Sequence, residues 1–195
     1  MNVRPDHDAC VSRVSKVEEI PDSVRYHVTL PETDYVDLFT LETGSHDRSA
    51  EQWARAVLEL APLSRRNARR LWRLMGLRLG PPRSPEHVQG WKIAESGENW
   101  IRLETYSWYL SAQVICLVDG GRVSVSLSLR YDQRLVASVV WAAVRPSHQR
   151  AVPVMLHQAA RMMAAAPSRA GVDGRRTGDG ENGDGDDGDN EAHED

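Results

Sequence analysis

His148 is the histidine whose position suggests chemistry. It follows Pro146 by two residues, where a C-terminal helix is expected to begin. A helix N-terminus presents unpaired N–H groups and a partial positive charge, which favour the neutral imidazole. A neutral ring there could accept or relay a proton, or it could hydrogen-bond a neighbouring loop and orient Trp141. Glu104 is the second acid/base candidate. If a reaction is catalysed, Glu104 and His148 would carry it, and no other catalytic residue is expected. Glu104 shares one face of its strand with Trp100, Arg102, Tyr106 and Trp108. Turned inward, that face makes an aromatic pocket with a carboxylate and a guanidinium. Turned outward, it makes an apolar surface suited to a dimer contact. Ile101, Leu103 and Thr105 opposite would also suit a core, so alternation leaves both orientations open. Tyr106, Trp108, Tyr131, Met155 and Met162 are the expected ligand-binding walls, with His148 as the polar contact. Thioethers such as those of Met155, Met162 and Met163 adapt to irregular ligands, although such a stripe also reads as plain core.

Other chemistries lack their residues. There is no Gly-x-Ser-x-Gly elbow and no Gly-x-Gly-x-x-Gly run after a strand. Cys10 and Cys116 have no partner spacing, and His46 with Asp47 has no second ligand pair, so neither metal nor cofactor is expected. Asp184-Gly-Asp186-Asp187-Gly-Asp189 lacks the apolar position, the bidentate Glu and the flanking helices of a calcium loop. Arg65, Arg66, Arg69, Arg70 and Arg73, with Arg78 and Arg83 nearby, form the densest basic patch. That patch reads as a solvated helix face rather than a contact for nucleic acid or anionic lipid.

Residues 35–166 supply the elements that would position these groups. Residues 24–30 and 35–42 read as extended. Ser49-Ala-Glu-Gln52 is a capping box, and behind it Trp53, Ala56, Val57 and Leu60 form a helical stripe. Pro62 stops that helix. Ser64 can cap a second, with Ala68, Leu71, Trp72 and Met75 inward and Gly76 ending it. From Val88 the period becomes two. Hairpins are expected at Gly97 and at Asp119-Gly120-Gly121. Arg122–Tyr131 alternates between an apolar face and a Ser/Arg face, as in a sheet covered on one side only. Residues 134–144 read as a last strand. The helix then runs from Pro146 to about 166, bent at Pro153, with Val152, Leu156, Ala159, Ala160 and Met163 as its stripe. The fold class is therefore α+β: a curved antiparallel sheet of six to seven strands around a long C-terminal helix, with two short helices after the first strand.

Length and composition suit one domain. Of 195 residues, 41% are hydrophobic, and no stretch reaches the roughly 20 apolar residues of a membrane span. The net charge of −4 is uneven. Residues 177–195 hold nine acidic and no basic residues, which leaves +5 on residues 1–176. Residues 1–21 read as a polar leader without a signal sequence, 22–166 as the domain, and 167–195 as a disordered acidic tail. The cysteine count suits a reduced, cytoplasmic setting.

Strand, two helices, meander and long terminal helix resemble the helix-grip fold of the START-like (SRPBCC) superfamily. Trp141-Ala-Ala-Val-Arg-Pro146-Ser-His148, continuing to Pro153-Val-Met155, resembles the Trp-x4-Pro-x-His signature of a bacterial domain family of unknown function within it. Asp34-Tyr35-Val-Asp37 is compatible with that family's start. The resemblance covers roughly residues 24–166. It implies a pocket for a hydrophobic or aromatic small molecule between sheet and helix. It implies a pocket rather than a reaction; a cyclase, dehydratase or isomerase of the same superfamily is one alternative, and a protein–protein interaction module using the aromatic face or the arginine helix is another. Relatives sometimes follow an oxidoreductase domain, so a separately encoded oxidoreductase partner is a further expectation, as is a homodimer.

Overall fold

The computed structural model describes residues 14–17, 19–43, 48–61, 68–82 and 84–165. In chain order the elements are β1 (Val14–Val17), α1 (Asp22–Arg25), β2 (Tyr35–Glu42), α2 (Ala50–Arg55) running into a π-helical turn (Ala56–Leu60), α3 (Arg69–Leu74), β3 (His87–Val88), β4 (Trp91–Ser96), β5 (Trp100–Tyr106), β6 (Leu110–Asp119), β7 (Arg122–Tyr131) and α4 (Arg134–Ala165). The strands form one open antiparallel sheet in the order β1-β2-β7-β6-β5-β4-β3. This is an α+β fold consistent with a helix-grip arrangement. Leader tip, His46 and Asp47, the Pro62 stop, the Ser64 cap, Arg65, Arg66, Arg83 and the acidic tail lie outside the described residues.

The hairpin signals act where the sequence places them. Gly120 and Gly121 have φ of 52° and 81°, the positive values of a two-residue turn, and Asp119 pairs with Arg122 across them. Gly97 lies between β4 and β5 and donates to the Trp100 carbonyl at 2.9 Å. At the start of α2 the capping box is complete: Ser49 Oγ accepts from Gln52 N at 3.2 Å, and Gln52 Oε1 accepts from Ser49 N at 3.0 Å.

Four local expectations are corrected. First, residues 24–30 are not a strand: α1 is a single helical turn, and the chain then crosses the sheet without joining its ladder. The edge partner of β2 is instead Val14–Val17, within the stretch read as leader. Second, Leu60 does not continue the α2 stripe. The Ala61 amide reaches back five residues to the Ala56 carbonyl at 3.0 Å, and this wider turn shifts the helical phase by one residue. Glu59 is buried in its place and Leu60 is 48% exposed. The inward carboxylate pairs with Arg55 at 3.1 Å and accepts from the Gln89 amide at 3.0 Å.

Third, residues 134–144 are helical. A short continuous apolar run fits either element by periodicity. Here Ala137, Trp141, Val152, Met155, Leu156 and Ala159 form one buried stripe along an uninterrupted α4 that contains both Pro146 and Pro153. Pro146 therefore does not open a helix, and His148 sits mid-helix, away from any N-terminal field.

Fourth, the sheet is covered on both faces. Phe39, Leu41, Val125, Leu127, Leu129, Ala112 and Val114 face the helices. On the outer face, residues 20–28 lie over Leu38, Ile115 and Leu117, with Val24 buried and Trp100 at the margin. His27 stacks on Trp100 with ring centroids 3.9 Å apart. Thr29 N donates to Gln113 Oε1 at 3.0 Å, and Gln113 Nε2 donates to Glu104 Oε1 at 2.9 Å. Ser126 and Ser128, expected to be wet, are buried beneath this cover.

Candidate functional site

Apolar side chains from three sides leave a space of about 670 Å³ between the inner face of the sheet and the helices. Its floor is Phe39 of β2, Val125, Leu127 and Leu129 of β7, and Leu110, Ala112 and Val114 of β6. These positions coincide across the ladders: Asp37 opposes Leu127, and Leu127 opposes Val114. One wall is Ala68, Leu71, Trp72 and Met75, the stripe read from sequence for the second helix. The other is the middle of α4, from Trp141 to Met155. Close-packed interiors leave few voids larger than a water, whereas ligand pockets run to about 300–1,000 Å³. At about 670 Å³ this space falls within that range of sizes.

One end is polar. Asp37 interrupts the apolar inner face of β2, is only 2% exposed, and lines the cavity. Its Oδ2 accepts from the Tyr35 hydroxyl at 2.7 Å and from His148 Nε2 at 3.1 Å. A neutral His148 that donates from Nε2 keeps Nδ1 as an acceptor. Burial, followed by the hydrogen bond to Asp37, pushes the Tyr35 hydroxyl up to about 12. The Arg145 guanidinium lies over the Tyr35 ring, 5.2 Å from its centroid, and the Gln149 amide lies 3.2 Å from the Tyr35 hydroxyl. Trp141 closes the group, with its ring centroid 5.3 Å from His148 and 4.9 Å from Tyr35. Seven residues is close to two helical turns, which explains how Trp141 and His148 share a face of α4. Three buried polar atoms on lining residues lack a partner among the described residues: Asp37 Oδ1 and the indole N–H groups of Trp91 and Trp141.

The sequence-derived candidates separate. His148 and Met155 line the cavity. Tyr106 and Trp108 do not: they are 52% and 69% exposed at the end of β5 and in the turn after it. Tyr106 instead lies under the Arg78 guanidinium, 5.3 Å from its centroid. Glu104 faces outward with Arg102, at 3.0 Å, so the sheet separates it from His148 and the pair cannot act on one ligand. Tyr131 is half-buried against the core edge, its hydroxyl pushed up by burial and by Asp34. Met162 lies beyond the cavity, partly exposed. Cys116 is a buried core thiol pushed up to about 12, which leaves it inert. Among the described residues no cluster of His, Cys, Asp or Glu could hold a metal.

Asp37 and Tyr35 are the site residues that residue-level reading missed. The signal was a lone carboxylate at an inward position between Tyr35 and Phe39, on a strand alternating in step with Leu41.

Comparison with family models, curated proteins and solved structures finds no match to this chain.

Proposed function

We propose that this chain binds a hydrophobic or aromatic small molecule in the cavity between the sheet and α4, with the ligand's polar group at the Asp37–His148 end. The observation that carries the reading is an apolar space of about 670 Å³ with one buried, partly unpaired carboxylate at its wall. A ligand hydroxyl suits that end best. Asp37 and His148 both line that end, so a ligand hydroxyl there would sit beside a carboxylate–imidazole pair. Membership of the START-like superfamily and a cytoplasmic setting belong to the same proposal.

The test is a titration with the neutral apolar fluorophore N-phenyl-1-naphthylamine. Trp72, Trp91 and Trp141 line the cavity and report occupancy by energy transfer. Saturable enhancement is expected, together with its loss in Ala112→Phe, which projects a ring from the cavity floor. Enhancement that persists in Ala112→Phe, or none at all in the wild type, overturns the reading.

A further inference from the structure

The residues that line the cavity and are also exposed mark its mouth: Leu71 of α3, and Ser147, Arg150 and Val154 of α4. The rim has an unusual charge pattern. From Leu60 through Pro85, and from Gln133 through Val172, the chain contains no Asp or Glu. These stretches include the two helices that flank the mouth. Arg70 and Arg73 are exposed on α3, Arg150 on α4. Among the described residues, arginine–carboxylate pairs include those of Arg55, Arg102, Arg122, Arg130 and Arg134, and Arg70 and Arg73 beside the α3 wall and Arg150 at the mouth take part in none of these. A merely solvated helix surface normally mixes charges of both signs.

Apolar side chains sit among these cations. Leu74, at the end of α3, is 85% exposed, Val154 is 45% exposed, and Leu71 is 36% exposed. Exposed leucines interleaved with arginines, without carboxylates, are the composition of an interfacial surface: apolar groups enter the acyl boundary while guanidinium groups remain at the phosphates. A nucleic-acid surface needs the cations but has no use for Leu74. A dry protein contact would have to match these three like charges with carboxylates of its own and desolvate both sides.

We propose that the mouth of the cavity docks on the surface of an anionic phospholipid bilayer, with α3 and the middle of α4 as the contacting elements. Docking there places the opening against the acyl boundary, from which an apolar molecule can pass without crossing water. For Arg70 and Arg73 this is an alternative to the sequence reading of a solvated face.

The test is co-sedimentation of the full chain with phosphatidylcholine vesicles, with and without phosphatidylglycerol. It needs no cavity ligand, so its result is separate from the fluorophore titration. Sedimentation is expected with the anionic vesicles, falling with added salt and absent with phosphatidylcholine alone. Arg73→Gln and Arg150→Gln should each weaken it about fivefold. Leu74→Ser, at a side chain too exposed to matter for folding, should weaken it about tenfold. Ala112→Phe should leave it unchanged. Failure to sediment, or equal binding to neutral vesicles, overturns the proposal. So does an arginine dependence without a Leu74 effect, which would mark a general polyanion site such as one for RNA. Loss of sedimentation in Ala112→Phe also overturns it, because lipid uptake would then replace docking.

Discussion

His148 Nε2 and Asp37 Oδ2 meet at 3.1 Å across 111 residues of sequence, tying α4 to β2 at the cavity. The same oxygen takes the Tyr35 hydroxyl at 2.7 Å. One carboxylate therefore fixes both the helix carrying the mouth and the strand carrying the floor. A buried carboxylate left with one oxygen unpaired is costly as structure alone.

Asp37→Ala should leave both the Tyr35 hydroxyl and the His148 ring without their acceptor. The expected loss is about 2 kcal/mol of stability, read as a lower urea midpoint, with weaker fluorophore binding. Asp37→Asn keeps the shape and an acceptor and should lose less. Equal midpoints for wild type and Asp37→Ala would remove the pair from the structural account.

The outer face should respond to acid through His27. Burial, and then the Arg102 charge, hold this imidazole below its ordinary 6.5. The unfolded chain therefore binds the proton more readily. The stability from His27 is present above about pH 6.5 and is lost as pH falls through the lowered folded value. Thermal melting of His27→Gln should show a flatter pH profile across that window than the wild type. At the other end of the scale, Tyr35 is raised from 10.0 to about 12, so its contribution is present below pH 10 and lost towards 12. Tyr35→Phe should remove that part of the alkaline decline. Profiles that superimpose on the wild type would contradict both assignments.

Ser126 is fully buried and its hydroxyl has no partner among the described residues. Ser126→Ala removes an unsatisfied group without adding volume. It should be neutral or stabilising by up to about 1 kcal/mol. A clear loss in the denaturation midpoint would mean the hydroxyl is hydrogen-bonded after all.

Met155 and Trp108 should now diverge. Met155 lines the cavity, so Met155→Ala should weaken fluorophore binding and cost about 2 kcal/mol at the low end of core truncations, since the site already borders open space. Trp108 is exposed in the β5–β6 turn. Trp108→Ala should leave binding unchanged and stability within about 0.5 kcal/mol. A binding defect in Trp108→Ala would contradict the cavity assignment.

Much of the fold was legible because its signals are local. Ser49 and Gln52 cap α2, Gly120 and Gly121 turn a hairpin, and the alternation of Arg122–Tyr131 orders β7. What escaped depends on long-range packing. The run 134–144 is apolar enough for a strand and becomes helix because Ala137 and Trp141 continue the stripe of Val152 and Leu156. Leu60 gives way to Glu59 because the π turn adds a residue that no periodicity announces. Of the site, His148 and Met155 were visible as side chains at suggestive positions. The inward direction of β5 was not, since Ile101 and Leu103 compete with Trp100 and Tyr106 for the core. Asp37 acquires its meaning only through His148, a contact that sequence spacing cannot contain.

The most direct measurement is native mass spectrometry of the purified full chain, followed by solvent extraction of the preparation and denaturing mass analysis. A stoichiometric apolar adduct is expected, absent from the Ala112→Phe variant and weakened by Asp37→Ala. An unliganded mass for the wild type, joined to a failure to bind N-phenyl-1-naphthylamine, would contradict the claim that this cavity exists to hold a small molecule.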